Sequence, residues 1–121
     1  MQFVVYGAGA VGCVLGGMLS LNRHDVLLVG RAPLVDAVHD GGLRLKSATG
    51  EYVAHPRVVA SATASDFGPG ACVLLTAKSY DVASATASLA KIATSETPVV
   101  CFQNGVASEE SVAKHLSLIH I

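Results

Sequence analysis

Short apolar runs alternate with longer segments of helical periodicity along most of the chain. The runs are rich in β-branched and aromatic residues, which is typical of strands buried on both faces of a sheet. The predicted strands are Gln2–Tyr6, Asp25–Val29, Cys72–Ala77 and Pro98–Phe102. The predicted helices run from Ala10 to about Asn22, from a cap at Ser79 to about Ile92, and onward from a cap at Ser108. Buried strands that alternate with amphipathic helices predict a doubly wound α/β fold with a mainly parallel sheet.

Two of the predicted helices have an apolar stripe at helical spacing. In the first helix the stripe consists of Val11, Val14, Leu15 and Met18, and in the second of Val82, Ala85, Leu89 and Ile92. Gly16 and Gly17 would weaken the first helix if it stood alone. We therefore expect these two glycines to be required by close packing of the helix on the sheet.

The pattern changes between the second and third buried strands. A short helical turn is predicted over Leu34–His39, and Gly41 ends it. The strand-like segments that follow are Leu43–Lys46, Tyr52–His55 and Val58–Ala60. They predict an antiparallel excursion at the edge of the sheet. Ser61–Gly70 is predicted to be a loop, with a helical turn near Asp66.

Composition narrows the class of protein. Hydrophobic residues make up 51% of the 121 residues, charged residues make up 14%, and the formal net charge is -1. These values exclude a disordered chain, and they do not fit a nucleic-acid binder. No apolar run approaches the roughly 18 to 20 residues of a membrane span, and the N-terminus lacks the basic leader of a signal peptide. We therefore expect a cytoplasmic domain with neither nucleic acid nor a membrane as partner; the sequence specifies no oligomeric state.

The cysteines and histidines point to no special chemistry. Cys13, Cys72 and Cys101 are odd in number and form no C-x-x-C pair. Each lies in an apolar context, which favours buried, reduced thiols. The five histidines are scattered, without H-x-x-x-H spacing or a neighbouring cysteine cluster. No metal site is expected.

The strongest sign of function is the glycine-rich turn G-A-G-A-V-G between the first predicted strand and the first helix. Gly7 permits a tight turn, Gly9 lets the backbone approach a pyrophosphate, and Gly12 lets the helix pack closely on the strand. The helix N-terminus then favours the anion. The expected cofactor-binding residues are Gly7, Ala8, Gly9, Ala10, Val11 and Gly12. The alternative is a strand–helix turn that binds no ligand.

The end of the second predicted strand distinguishes between cofactors. Proteins that bind NAD usually carry Asp or Glu there, about 20 residues beyond the glycines, to bond the ribose hydroxyls. This chain has Gly30 and Arg31 after Val29, so no acid repels a 2′-phosphate, and the planar donors of an arginine suit one. We predict NADPH or NADP as the cofactor. The alternative is an exposed arginine in a turn.

Polar residues also follow the third and fourth predicted strands. Lys78 comes directly after one, and Gln103-Asn104-Gly105 after the other. The carboxyl ends of strands in such a sheet face the ligand crevice, so both are candidates for cofactor contact. The alternatives are a surface lysine and an ordinary Asn-Gly turn.

These residues together resemble the N-terminal domain of ketopantoate reductases (2-dehydropantoate 2-reductases). The resemblance rests on GAGAVG, the arginine after the second strand, TAKSYD and FQNGVASEE, and it runs from Met1 to about Leu116. It implies a Rossmann-type fold and NADPH-dependent reduction of 2-dehydropantoate to pantoate, on the route to pantothenate and coenzyme A. It further implies a 2′-phosphate contact at Arg31, a cofactor contact at Lys78, and a position for Asn104 near the nicotinamide ribose and the 2-keto acid substrate.

The resemblance also leaves a part of the family unmatched. In ketopantoate reductases the general-acid lysine belongs to a helical C-terminal domain, and nothing in this chain resembles that domain. We therefore expect no catalytic residue in this chain, a truncated NADP-binding domain over residues 1–116, and a non-native tail over 117–121. The alternative is a native C-terminal end.

Two other functions stay open at this point. One is the cofactor domain of a reductase for another 2-keto acid or an opine-type substrate. The other is a nucleotide-sensing regulatory module with the same glycine motif, although such modules usually carry an acid where this chain has Gly30 and Arg31.

Overall fold

The computed structural model describes residues 2–68, 70–76, 82–92 and 97–101. Its strands are β1 (Gln2–Tyr6), β2 (Asp25–Val29), β3 (Leu43–Ser47), β4 (Gly50–Ala54), β5 (Arg57–Val59), β6 (Cys72–Leu75) and β7 (Val99–Cys101). Its helices are α1 (Ala10–Leu21), α2 (Ala32–Gly41) and α3 (Val82–Ala90), with a 3-10 turn at Ala64–Asp66. The helix predicted after Ser108 lies outside the described residues.

The main sheet of the described residues has five strands in the order β5-β2-β1-β6-β7. All of its neighbouring strands are parallel. The chain moves outward from β1 to β2 and β5, and then returns to the other side of β1 for β6 and β7. This reversal puts a topological switch point between β1 and β6, where ligands of such sheets bind. The predicted doubly wound, mainly parallel α/β fold is confirmed.

Both faces of the sheet are covered by helices. On one face, buried residues of the central strands pack with residues of α1 and α2: Val5, Val26, Leu28, Leu74, Leu19, Leu34, Val35 and Val38. On the other face, alternate strand residues pack with α3 and its C-terminal turn: Val4, Leu27, Val29, Val73, Leu75, Ala85, Leu89 and Ile92. The predicted stripe of α3 is therefore confirmed at Ala85, Leu89 and Ile92. Alternation along β1 and β2 explains why these strands are apolar at successive positions.

Helix α1 uses its glycines rather than its apolar stripe to pack on the sheet. Gly12, Gly16 and Gly17 are the buried residues of this helix. A Cβ atom built on Gly16 would lie 2.5 Å from Leu28 Cδ2, which is closer than packed atoms approach. The expectation of close packing on the main sheet is confirmed at Gly16, whereas a Cβ atom on Gly17 would meet Leu43 and Leu45 of β3. The apolar stripe does not form the buried face.

The predicted stripe of α1 instead faces largely outward. The side chains of Val11, Val14 and Met18 are 53%, 50% and 54% exposed. Periodicity identified a helix correctly and its inner face incorrectly, because only glycine allows this helix to approach the sheet so closely.

The segment after β2 also differs from its prediction. The short turn expected over Leu34–His39 is a full helix, α2, with Pro33 in its first turn, where proline needs no hydrogen-bond partner. The hairpin β3–β4 forms its own antiparallel two-stranded sheet. The third strand-like segment is not part of that antiparallel excursion, because β5 pairs in parallel with β2 in the main sheet.

The side chain of Gln2 hydrogen-bonds the segment before β6 to the start of β1. The residue is 8% exposed; Nε2 donates to Asp66 O at 2.8 Å, and Oε1 accepts from Gly68 N–H at 2.6 Å. Both polar ends of this buried side chain are thus satisfied.

The C-terminus of α1 ends in a Schellman arrangement around Arg23. Arg23 N–H donates to Ser20 O, and His24 N–H donates to Leu19 O, both at 3.1 Å. Arg23 adopts φ 68°, the left-handed conformation in which glycine is usual. A side chain at this position strains the backbone.

Replacing Arg23 by glycine is expected to raise the free energy of unfolding by about 0.5 to 1 kcal/mol, because relief of the left-handed strain outweighs the added freedom of the unfolded chain. Urea unfolding followed by circular dichroism measures the difference. Arg23→Ala is the matched control: it removes the same side chain and keeps the strain, so it should give no gain. Equal stabilisation by both substitutions would contradict the backbone explanation.

Candidate functional site

The glycine-rich turn leaves β1 at the carboxyl edge of the sheet and is bound to β2 on one side. Gly7 has φ 81°, a conformation that favours glycine, and there the chain turns out of the strand. The N–H groups of Gly7 and Ala8 both donate to Val29 O, at 3.0 and 2.8 Å. The last residue of β2 therefore holds the first two residues of the turn.

On its other side the turn is bound to Thr76, directly after β6. Thr76 N–H donates to Tyr6 O at 3.0 Å and so continues the pairing of β1 with β6. Thr76 Oγ1 lies 3.3 Å from Gly7 O and 3.4 Å from Tyr6 O, both within reach of its one hydroxyl proton. Sequence reasoning missed this residue, because the apolar run predicts a strand that continues through Thr76 to Ala77.

Gly12 sits directly over this threonine. A Cβ atom on Gly12 would lie 2.5 Å from Thr76 Oγ1 and 2.9 Å from Val5 Cγ1. Both neighbours are on β-branched side chains with little freedom to move away. The first turn of α1 can therefore rest on the end of the sheet only because residue 12 has no side chain.

Gly9 is in the opposite situation. It is exposed, and nothing lies within 4 Å of the position that its Cβ atom would take. The first hydrogen bond of the helix runs from Cys13 N–H to Gly9 O at 2.9 Å, so the N–H groups of Ala10, Val11 and Gly12 have no acceptor one turn back. Helix α1 has no acidic residue in its first turn and no side-chain cap. The exposed end of α1 can therefore accept an anion.

The end of β2 lies against the same turn. A Cβ atom on Gly30 would lie 3.3 Å from Ala8 O, so the two segments are in van der Waals range of each other. The next residue, Arg31, is exposed, has an extended backbone and precedes α2 as its N-cap residue. The structure thus brings Arg31 and the residues from Gly7 to Gly12 to one edge of the sheet. Lys78 and Asn104, the other predicted contacts, lie outside the described residues.

The two thiols that can be described contribute no reactive group. Cys13 is half-buried on α1, Cys72 is buried in β6, and neither is in a disulfide. Burial raises the pKa of both thiols above the usual value, which keeps them protonated and poorly nucleophilic. Within the described ranges, no three His, Cys, Asp or Glu side chains are grouped so that they could hold a metal ion.

No helix among the described residues has both the length and the apolar character needed to cross a membrane.

A family model described as ketopantoate reductase PanE/ApbA matches residues 3–120 of the chain. The chain belongs to the ketopantoate reductase family. A 2-dehydropantoate 2-reductase of Pyrococcus horikoshii is 35% identical over 115 residues, which cover 93% of this chain and 36% of that relative. The family predicted from the sequence motifs is confirmed.

Solved structures of ketopantoate reductases have the same fold. A PanE/ApbA family ketopantoate reductase from Ralstonia eutropha JMP134 matches with a TM-score of 0.90 at 30% identity, over 98% of this chain and 40% of that one. A ternary structure of D-mandelate dehydrogenase with NADH and anilino(oxo)acetate matches with a TM-score of 0.81 over 96% of this chain and 37% of that one. Its 24% identity shows a shared fold alone. The chain spans little more than a third of the length of its ketopantoate reductase relatives.

Proposed function

We propose that this chain is the NADPH-binding domain of a 2-dehydropantoate 2-reductase. The observation that carries the proposal is the geometry at the carboxyl edge of the sheet. There, the N-terminus of α1 follows the exposed glycine turn and lies beside the end of β2. That strand end is followed by Arg31 and carries no acidic residue.

The glycine turn fits a dinucleotide pyrophosphate. The N–H groups at the start of α1 supply donors, and the helix dipole adds partial positive charge at the same place. The open space at Gly9 lets a phosphate come close to the backbone. Gly7 and Ala8 are held by Val29 O, so the turn is ordered before any ligand arrives.

Arg31 is the proposed contact of the 2′-phosphate. It follows the close approach of Gly30 to Ala8, so its backbone is beside the turn that would hold the pyrophosphate. A guanidinium binds phosphate through two parallel hydrogen bonds. The resemblance to the family adds Lys78 as a further cofactor contact, and Asn104 as a contact near the nicotinamide ribose and the substrate.

The proposed reaction is reduction of a 2-keto acid, with 2-dehydropantoate as the substrate. Bound NADPH supplies a hydride. The described residues bind and orient the dinucleotide, whereas protonation of the developing alkoxide is assigned to a lysine in the portion of the relatives that this chain does not span. A related reductase with another 2-keto acid would use the same site, and the remaining portion would select its substrate.

We expect the 121-residue chain to bind NADPH at least about tenfold more tightly than NADH, because a charge-assisted hydrogen bond contributes about 1.5 to 3 kcal/mol. Isothermal titration calorimetry with both dinucleotides, at one salt concentration, measures the ratio. Tighter binding of NADH would contradict the role of Arg31 and favour a sensing module.

We also expect no turnover of 2-dehydropantoate with NADPH, followed at the absorbance of the reduced nicotinamide. Measurable reduction would place a general acid within this chain.

A further inference from the structure

Thr76 lies at the switch point of the sheet, between the end of β6 and the first turn of α1. It is 7% exposed, and its hydroxyl is on the side of the glycine turn. Two segments meet at this oxygen: the Gly7 carbonyl, 3.3 Å away, and Gly12, whose Cβ atom would approach it to 2.5 Å. One buried hydroxyl therefore contacts both the start and the end of the G-x-G-x-x-G motif.

We propose that Thr76 is a positioning residue for dinucleotide binding, whose hydroxyl fixes the Gly7 carbonyl and so aims the backbone N–H groups of the following turn. This inference rests on the proposed function. The Gly7 and Ala8 N–H groups are already held by Val29 O on the β2 side. The Thr76 hydroxyl supplies the corresponding restraint on the β6 side, at the residue where the chain has left the regular pairing of β1.

The physical reason lies in the cost of leaving a partly buried carbonyl without its donor. Without the hydroxyl, the Gly7 carbonyl would lose this donor and would turn toward another donor or toward water. Because Gly7 is a glycine at φ 81°, its peptide planes rotate with little steric resistance. Rotation at Gly7 changes the direction of the residues up to Gly9, where the phosphate is proposed to approach.

The test compares three substitutions at residue 76 with one elsewhere. Thr76→Val keeps the shape and removes the hydroxyl, Thr76→Ser keeps the hydroxyl and removes the methyl group, and Thr76→Ala removes both. Thr97→Val is the matched control, because Thr97 is also buried, at 9% exposure, but lies just before β7 at the amino edge of the sheet. NADPH and NADH dissociation constants are measured for each variant by calorimetry, together with urea unfolding.

We expect Thr76→Val and Thr76→Ala to weaken the binding of both dinucleotides about tenfold, which corresponds to about 1.4 kcal/mol and lies within the range for loss of one hydrogen bond. Thr76→Ser keeps the hydroxyl and should bind both dinucleotides with an affinity within about twofold of the wild type. Thr97→Val should leave the dissociation constants unchanged even where it lowers stability. The loss of affinity should be equal for NADPH and NADH, because the glycine turn is proposed to bind the pyrophosphate that both dinucleotides contain. The 2′-phosphate, which only NADPH has, is not involved.

Each other outcome has a distinct meaning. Wild-type affinity in Thr76→Val, or a loss in Thr76→Ser equal to that in Thr76→Val, overturns the positioning role and leaves the proposed function standing. If Thr76→Val does not fold, Thr76→Ala and Thr76→Ser decide between the two results. A wild-type chain that binds neither dinucleotide overturns the proposed function and this inference with it.

Discussion

Replacing Arg31 by alanine is expected to weaken NADPH binding by about ten- to a hundredfold while changing NADH binding by less than about twofold, since charge-assisted hydrogen bonds contribute about 1.5 to 3 kcal/mol. Arg31 comes directly after Gly30, whose approach to Ala8 sets the strand end beside the glycine turn. NADH lacks the 2′-phosphate, so only NADPH loses the contact. Calorimetric titration of both dinucleotides against the variant measures the change in preference.

Arg57→Ala is the matched control for this experiment. It removes the same charge, but Arg57 begins β5 at the opposite edge of the sheet and pairs with Asp25 at 3.1 Å. Both side chains of this ion pair are more than half exposed, so its loss should cost at most about 1 kcal/mol of stability. A similar drop in NADPH affinity in both variants would indicate a general effect of net charge. Unchanged NADPH binding in Arg31→Ala would remove the basis for choosing this cofactor.

The alternation of buried strands and helices was sufficient to predict the doubly wound fold. This prediction of the fold succeeded because β1, β2 and β6 are apolar on both faces, and few sheet architectures other than a parallel sheet between helices require such strands. The length of α2 was underestimated, because its sequence contains Pro33 and Gly41, which weaken a local prediction although they suit the two ends of a helix.

The predictions that failed depended on tertiary contacts. The inner face of α1 was misassigned because apolar periodicity gives weight to Val14 and Met18 and none to glycine. The buried face is instead selected by how closely Gly16 approaches Leu28. The pairing partner of β5 was equally hidden, since three residues carry no signal that distinguishes an antiparallel neighbour from a parallel one.

The candidate site likewise combines residues that sequence patterns predict with a residue whose position depends on tertiary contacts. Arg31 and the three glycines of the motif were predicted as cofactor contacts from residue type and spacing, which are properties of the sequence, and this role stays a prediction. Thr76 was not predicted, because a threonine at the end of a strand is common. Thr76 lies beneath Gly12 and beside Gly7 only because β6 pairs with β1, which are far apart in the sequence.

The two glycines that surround the proposed pyrophosphate site are expected to respond differently to alanine. Gly12→Ala should lower the free energy of unfolding by about 1 to 3 kcal/mol, because its Cβ atom would overlap Thr76 Oγ1 and Val5 Cγ1. Gly9→Ala should keep stability within about 1 kcal/mol of the wild type, since nothing lies within 4 Å of its Cβ position. Urea unfolding of both variants measures this difference.

NADPH binding should show a different ranking. In Gly9→Ala the new methyl group occupies the space through which a phosphate would reach the backbone, so we expect affinity to fall about a hundredfold (about 2.7 kcal/mol) in a chain that is still folded. Calorimetry at a temperature where both variants remain folded measures the dissociation constants. Wild-type affinity in Gly9→Ala would mean that the pyrophosphate does not lie over Gly9. Wild-type stability in Gly12→Ala would mean that α1 can move away from β6 at little cost, and would weaken the link between Thr76 and the turn.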